Sequence, residues 1–166
     1  MYKLKVVEVI LQRFREPRKR IQVVAGPRQV GKTTSVEQAL SEYHGGYTYK
    51  LAEGLGLSPL DWLIAEWNAA RVKAKSEGGH LLVIDEIHKI KGWSRIVKRL
   101  WDEDSFNHVE LKVCLLGSSR LLLQKGLDES LAEPRGSDPC DTVDVIRSVP
   151  FYELPPFPRQ AVGAVA

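Results

Sequence analysis

Two runs constrain the fold of this chain more than any other feature: Leu81-Leu82-Val83-Ile84 and Val113-Cys114-Leu115-Leu116 contain no polar residue. A strand with one wet face alternates apolar and polar side chains. A strand that is apolar at every position has to be covered on both faces, as in a parallel sheet held between two helical layers. Around these runs the candidate strands are Ile21–Ala25, Tyr47–Leu51, His80–Ile84, Leu111–Leu116 and Val143–Val149.

Helical patterns separate them. Ser58-Pro59-Leu60-Asp61 reads as an N-cap, a proline at the first helical position and an acid in the first turn. Leu60, Leu63, Ile64 and Trp67 follow at i, i+3, i+4 and i+7, and Gly78-Gly79 ends the segment. Trp93, Ile96, Val97, Leu100 and Trp101 repeat the spacing, so the tryptophans belong to the core rather than to a base-stacking platform. Strands and helices in alternation predict an α/β chain, a three-layer α/β/α sandwich around a parallel five-stranded sheet.

With 166 residues, 43% of them hydrophobic, one globular domain has ample material for a core. The expected division is a basic helical segment over 1–20, a core over 21–152, and a tail over 153–166 whose prolines and small residues predict disorder. A formal charge of +3 is too small to imply nucleic acid by itself. The charge is uneven, however. Arg13, Arg15, Arg18, Lys19 and Arg20 cluster with only Glu16 opposing them. A solvated helix face is the plainer reading, and a contact with DNA or a protein partner the sharper one. Cys114 sits in an apolar run and Cys140 in a polar loop, so neither a disulfide framework nor a metal spacing is present, and a reducing cytoplasm is the expected setting. No run approaches the ~18 apolar residues of a membrane span, and the start does not resemble a signal peptide. The four histidines share no ligand spacing, and His88 reads as a helix-lead residue.

The chemistry lies where the first strand breaks. Gly26-Pro27-Arg28-Gln29-Val30-Gly31-Lys32-Thr33 fits G-x-x-x-x-G-K-[ST], between a predicted strand and a predicted helix containing Val36, Ala39, Leu40 and Tyr43. Glycines let successive N–H groups turn inward onto phosphate oxygens, and the helix N-terminus adds its positive dipole end. Lys32 is placed for the β- and γ-phosphates and the Thr33 hydroxyl for Mg²⁺. Leu81-Leu82-Val83-Ile84-Asp85-Glu86 then delivers two carboxylates at a strand end, where open α/β sheets bind ligands. Asp85 suits the Mg²⁺ hydration shell, and Glu86 suits orienting an attacking water. A third strand ends in Gly117-Ser118-Ser119, where a hydroxyl can hold that water from the other side, although Gly-Ser-Ser is equally an ordinary helix cap.

"GPRQVGKTT", "LLVIDEIHKIKGWSRIVKRLWD" and "LLGSSRLLLQKGLDESLA", in this order, resemble the prokaryotic AAA+ ATPases whose P-loop reads GPRQVGKTT. The resemblance spans about residues 10–132. It implies a sheet in the order 5-1-4-3-2, Gly26 to Thr34 as the Walker A segment, and Asp85 and Glu86 as Walker B. It also implies Ser118 as sensor residue, with Ser119 the alternative, and self-association into an oligomer. Relatives typically have Gly-Arg after the position of Leu131-Ala132; here "EPRGSDPCDT" intervenes, and Arg135 is the candidate for the family's arginine finger. The family also continues into a helical lid and a C-terminal domain, so the chain reads as truncated.

Three activities follow as expectations: a Mg²⁺-dependent ATPase core, weak in isolation; a small P-loop kinase; or a nucleotide-gated binding module with negligible turnover. The adjacent Asp85-Glu86 pair favours hydrolysis, because a kinase gains nothing from activating water.

Overall fold

The computed structural model describes residues 5–25, 31–56, 58–117 and, as backbone, 143–147. The elements run α1 (Lys5–Arg15), β1 (Ile21–Ala25), α2 (Lys32–Ser41), β2 (Tyr47–Leu51), α3 (Pro59–Glu77), β3 (His80–Asp85), a 3₁₀ turn (Ile87–Lys89), α4 (Trp93–Phe106), β4 (Leu111–Gly117) and β5 (Val143–Arg147). All five strands are parallel, in the order β2-β3-β4-β1-β5. That is the expected order read from the opposite edge. The expected disordered tail, Ser118 and Arg135 lie outside the described residues.

The two-faced burial predicted from the apolar runs is present, and the pleat divides it. Leu81, Val83, Cys114, Leu116 and Val24 face α1 and α2. Leu82, Ile84, Val113, Leu115 and Val23 face α3 and α4. Successive side chains of a strand point to opposite faces, so β1, β3 and β4 each serve two cores at once.

Val7, Ile10, Leu11 and Phe14 sit at helical spacing on α1 and are buried in the same cluster as Val36, Ala39 and Leu40 of α2. At about 1.5–3 kcal/mol per large apolar side chain, this helix is held firmly to the sheet. The Phe14 ring meets Tyr43 edge-on, with centroids 5.9 Å apart. On the other face Trp67, Trp93 and Trp101 are buried core residues and Trp62 packs against them, as the spacing predicts. Ser58 occupies the N-cap of α3 with Pro59 after it, yet its side chain makes no capping bond. Proline's fixed φ and the packing of Leu63 and Trp67 start this helix without that contribution.

The basic cluster is not a uniform solvated face. Arg18 lies flat on Trp101, its guanidinium carbon 3.6 Å from the ring centroid, and donates to the carbonyls of Leu111 (2.9 Å) and Trp101 (3.1 Å) and to Ser105 Oγ (3.0 Å). Arg13 pairs with Glu16 at 3.3 Å. Arg15 and Lys19 are exposed. Part of what reads as surface charge in sequence is therefore a strap across the α4–β4 end of the fold. No described helix is long and apolar enough to cross a membrane.

Candidate active site

The C-terminal ends of β2 and β3 and the first turns of α2 meet at an open cleft of about 700 Å³. Its described lining includes Gly31, Lys32, Thr33, Thr34, Glu37, Tyr49, Glu53, Asp85, Glu86 and Lys89. Gly31 caps α2 with φ 79°, in left-handed space that a side chain resists, and its carbonyl accepts the Ser35 N–H at 2.8 Å. The helix therefore starts at Lys32 with its positive end toward the cleft. Gly26, Pro27, Arg28, Gln29 and Val30 lie outside the described residues.

Lys32 is 7% exposed although it lies at the cleft. Burial lowers its pKa, and the charges of Glu86 and Asp85 pull in the opposite direction. Asp85 closes β3 and is 3% exposed. A buried carboxylate needs donors, and this one has three from separate elements. The Thr33 hydroxyl donates to Oδ2 at 2.7 Å, the Tyr49 hydroxyl donates to the same oxygen, and the Glu86 N–H donates to Oδ1 at 2.8 Å. Burial, together with Asp85, pushes the Tyr49 phenol well above its ordinary range, so the hydroxyl remains a donor.

Glu86 leaves the strand direction. Its φ of 59° is left-handed, unusual for a residue with a side chain. Its Oε2 lies 3.4 Å from His88 Nε2 and 3.7 Å from Lys89 Nζ, and Lys89 also reaches Glu53 at 3.3 Å. His88 thus lies beside the second carboxylate.

The donor set suits a small hard cation. Thr33 and Asp85 present oxygen ligands side by side, and Mg²⁺ is commonly held by one or two carboxylates plus phosphates and water. Among the described residues no three His, Cys, Asp or Glu side chains are grouped to hold a metal alone. A cation at this place would complete its shell from phosphates and solvent.

Of the residues singled out in sequence, Gly31, Lys32, Thr33, Thr34, Asp85 and Glu86 come together in one cleft. Tyr49, Glu37 and Glu53 join them without having been marked by any motif, as does Lys89, which lies in a stretch that carries the family resemblance but has no role implied by it. The signal for Tyr49 is strand parity: it pairs with Val83, which shares its face of β3 with Asp85.

The comparisons with known proteins agree with this architecture. The family described as AAA domain matches residues 18–142. A structure from a study of katanin self-assembly superposes with a TM-score of 0.51 at 19% identity, covering 88% of this chain and 46% of that one. A Walker-type ATPase of Pyrococcus abyssi superposes with a TM-score of 0.52 at 15% identity, covering 97% of this chain and 55% of that one. Among curated protein sequences none matches. This chain thus spans about half the length of each of these structural relatives. At such identities the superpositions speak for the fold, and the family match speaks for descent: the chain belongs to the AAA-domain family of P-loop ATPases.

Proposed function

We propose that this domain binds Mg-ATP in the cleft between α2 and β3 and hydrolyses it to ADP and phosphate. The observation that carries the reading is the meeting of Thr33 with Asp85 at 2.7 Å beside a buried lysine. The Lys32 ammonium stands at the cleft beside this pair, and charge-assisted contacts to phosphate oxygens are among the strong hydrogen bonds such a group can make. Gly31 and the first turn of α2 would receive phosphate oxygens on backbone N–H groups, with Gly26 to Val30 contributing as the sequence motif implies. Thr33 and Asp85 would hold Mg²⁺, which supplies neutralisation of the charge on the β- and γ-phosphates. Glu86 would accept a hydrogen bond from water and aim its oxygen at the γ-phosphorus.

Ser118, with Ser119 as the alternative, is proposed as the residue contacting that water from the β4 side. Arg135 is proposed as the arginine offered to a neighbouring copy. Both roles rest on the sequence resemblance. Self-association is proposed on the same footing, supported by the likeness to a protein studied for its self-assembly. For the basic segment, Arg15 and Lys19 rather than Arg18 are the side chains open to a partner.

Lys32→Ala tests the assignment. Calorimetric titration with ATP and Mg²⁺ is expected to show affinity reduced by about tenfold or more, as for loss of a charge-assisted contact, with the folded far-UV spectrum retained. Equal affinity for both proteins would refute nucleotide binding at this cleft.

A further inference from the structure

We propose that Tyr49 is a positioning residue for the divalent cation: its hydroxyl, donated from β2, fixes the Asp85 carboxylate in the orientation that metal binding requires. The proposal rests on the reading of the cleft as a Mg-nucleotide site and adds a residue that no part of the motif contains.

The geometry is set by sheet register. Leu51 is the partner of Asp85 and Tyr49 that of Val83, so Tyr49 stands two residues back along the neighbouring strand on the same face as Asp85. A phenol is long enough to cover that offset. Its ring packs, partly buried, against the cluster beneath α1 and α2, and its hydroxyl emerges in the cleft at Asp85 Oδ2. Serine or threonine at this position would be too short to reach, and phenylalanine would fill the same space without the donor.

The bond has a purpose that Thr33 alone cannot serve. Thr33 also donates to Oδ2, but its oxygen is itself placed to face the cation. The Glu86 N–H holds Oδ1 from a left-handed residue at the end of the strand. Among the described residues, Tyr49 is the one donor to Asp85 that comes from neither the proposed metal-ligand pair nor the turn carrying Glu86. It therefore keeps the carboxylate plane fixed whether or not a cation is bound. Donors that orient a ligand in this way typically affect metal affinity by 10–100-fold when removed.

The test separates metal affinity from nucleotide affinity. Binding of a non-hydrolysable ATP analogue is measured by calorimetry in EDTA and across a Mg²⁺ series, for the unsubstituted chain and Tyr49→Phe. The expected result is unchanged affinity in EDTA and a Mg²⁺ half-saturation raised by about 10–100-fold in Tyr49→Phe. An unchanged Mg²⁺ requirement overturns the proposal. So does an equal loss with and without Mg²⁺, which would mark a purely structural tyrosine. If the unsubstituted chain shows no Mg²⁺-dependent binding, the reading of the cleft falls and this proposal falls with it; Mg²⁺-dependent binding that Tyr49→Phe leaves intact removes this proposal alone. A measurement on the unsubstituted sequence stands beside the variant. With 3-fluorotyrosine at its five tyrosines, one fluorine resonance should shift on adding Mg²⁺ to the nucleotide-bound protein and not on adding nucleotide in EDTA. Absence of any such resonance overturns the proposal as well.

Discussion

Asp85 and Glu86 are adjacent in the chain and opposite in circumstance. Asp85 ends a fully buried strand with its oxygens held by three donors. Glu86 adopts a left-handed φ, at a cost of about 1–2 kcal/mol for a residue with a Cβ, and among the described residues its carboxylate has its ion-pair neighbours at the longer distances of 3.4 Å (His88) and 3.7 Å (Lys89). A held carboxylate suits a cation, and a carboxylate on weak tethers suits a water that must be turned. Asp85→Asn is therefore expected to weaken Mg²⁺-dependent ATP binding. Glu86→Gln should keep that binding and lose phosphate release by about a hundredfold or more, the usual scale for a general base. Calorimetry and a phosphate-release assay on both variants check the division, and indistinguishable behaviour would contradict it.

Between elements, polar contacts do what apolar packing cannot, which is to fix the relative positions of helices. Asp104 of α4 is 1% exposed and accepts from Trp67 Nε1 at 2.8 Å and from Arg71 Nε at 2.5 Å, both on α3. Arg71 continues to the Leu100 carbonyl at 2.9 Å. Removing the carboxylate leaves a buried indole N–H without its acceptor, while Arg71 keeps its contacts to Leu100 and Glu103. Asp104→Ala should therefore cost about 1.5–3 kcal/mol, the range for hydrogen bonds to charged groups. The urea midpoint should fall with an unchanged slope. A loss below a few tenths would show that the helices are positioned by their apolar faces alone.

At the scale of the whole molecule, the sheet centre titrates only when the fold opens. Cys114 is fully buried on β4, and burial, with Asp85 adding to it, pushes its thiol far above the ordinary 9.0. Burial raises Tyr43 as well. The sign follows directly. Below about pH 9 the thiol is protonated in both states; above it the unfolded chain loses the proton and the folded chain keeps it. Stability should fall as pH rises through and beyond 9, by up to about 1.4 kcal/mol per pH unit for the thiol. Urea unfolding at pH 8 and pH 10 measures it, and Cys114→Ala should show a shallower fall. Identical pH slopes would mean that the thiol is already open to solvent.

The sequence by itself determined the elements and marked residues that meet in one cleft, because these are local properties. Apolar runs without interruption read as strands covered twice, a glycine-lysine-threonine break after a strand opens a helix, and Asp85-Glu86 marks where an apolar run ends in carboxylates at the cleft. Strand order came from resemblance to a family, since nothing in spacing alone states which strand pairs with which. The tertiary structure decided what depends on register and crossing. It brought Tyr49 to Asp85 from 36 residues away, because β2 pairs with β3 in the one alignment that puts both on the α2 face. It turned Arg18 from apparent surface charge into a strap, because Trp101 and the carbonyl of Leu111, far along the chain, lie beneath it. A side chain's type fixes what it can do; its neighbours across the sheet, which no local pattern contains, fix what it does.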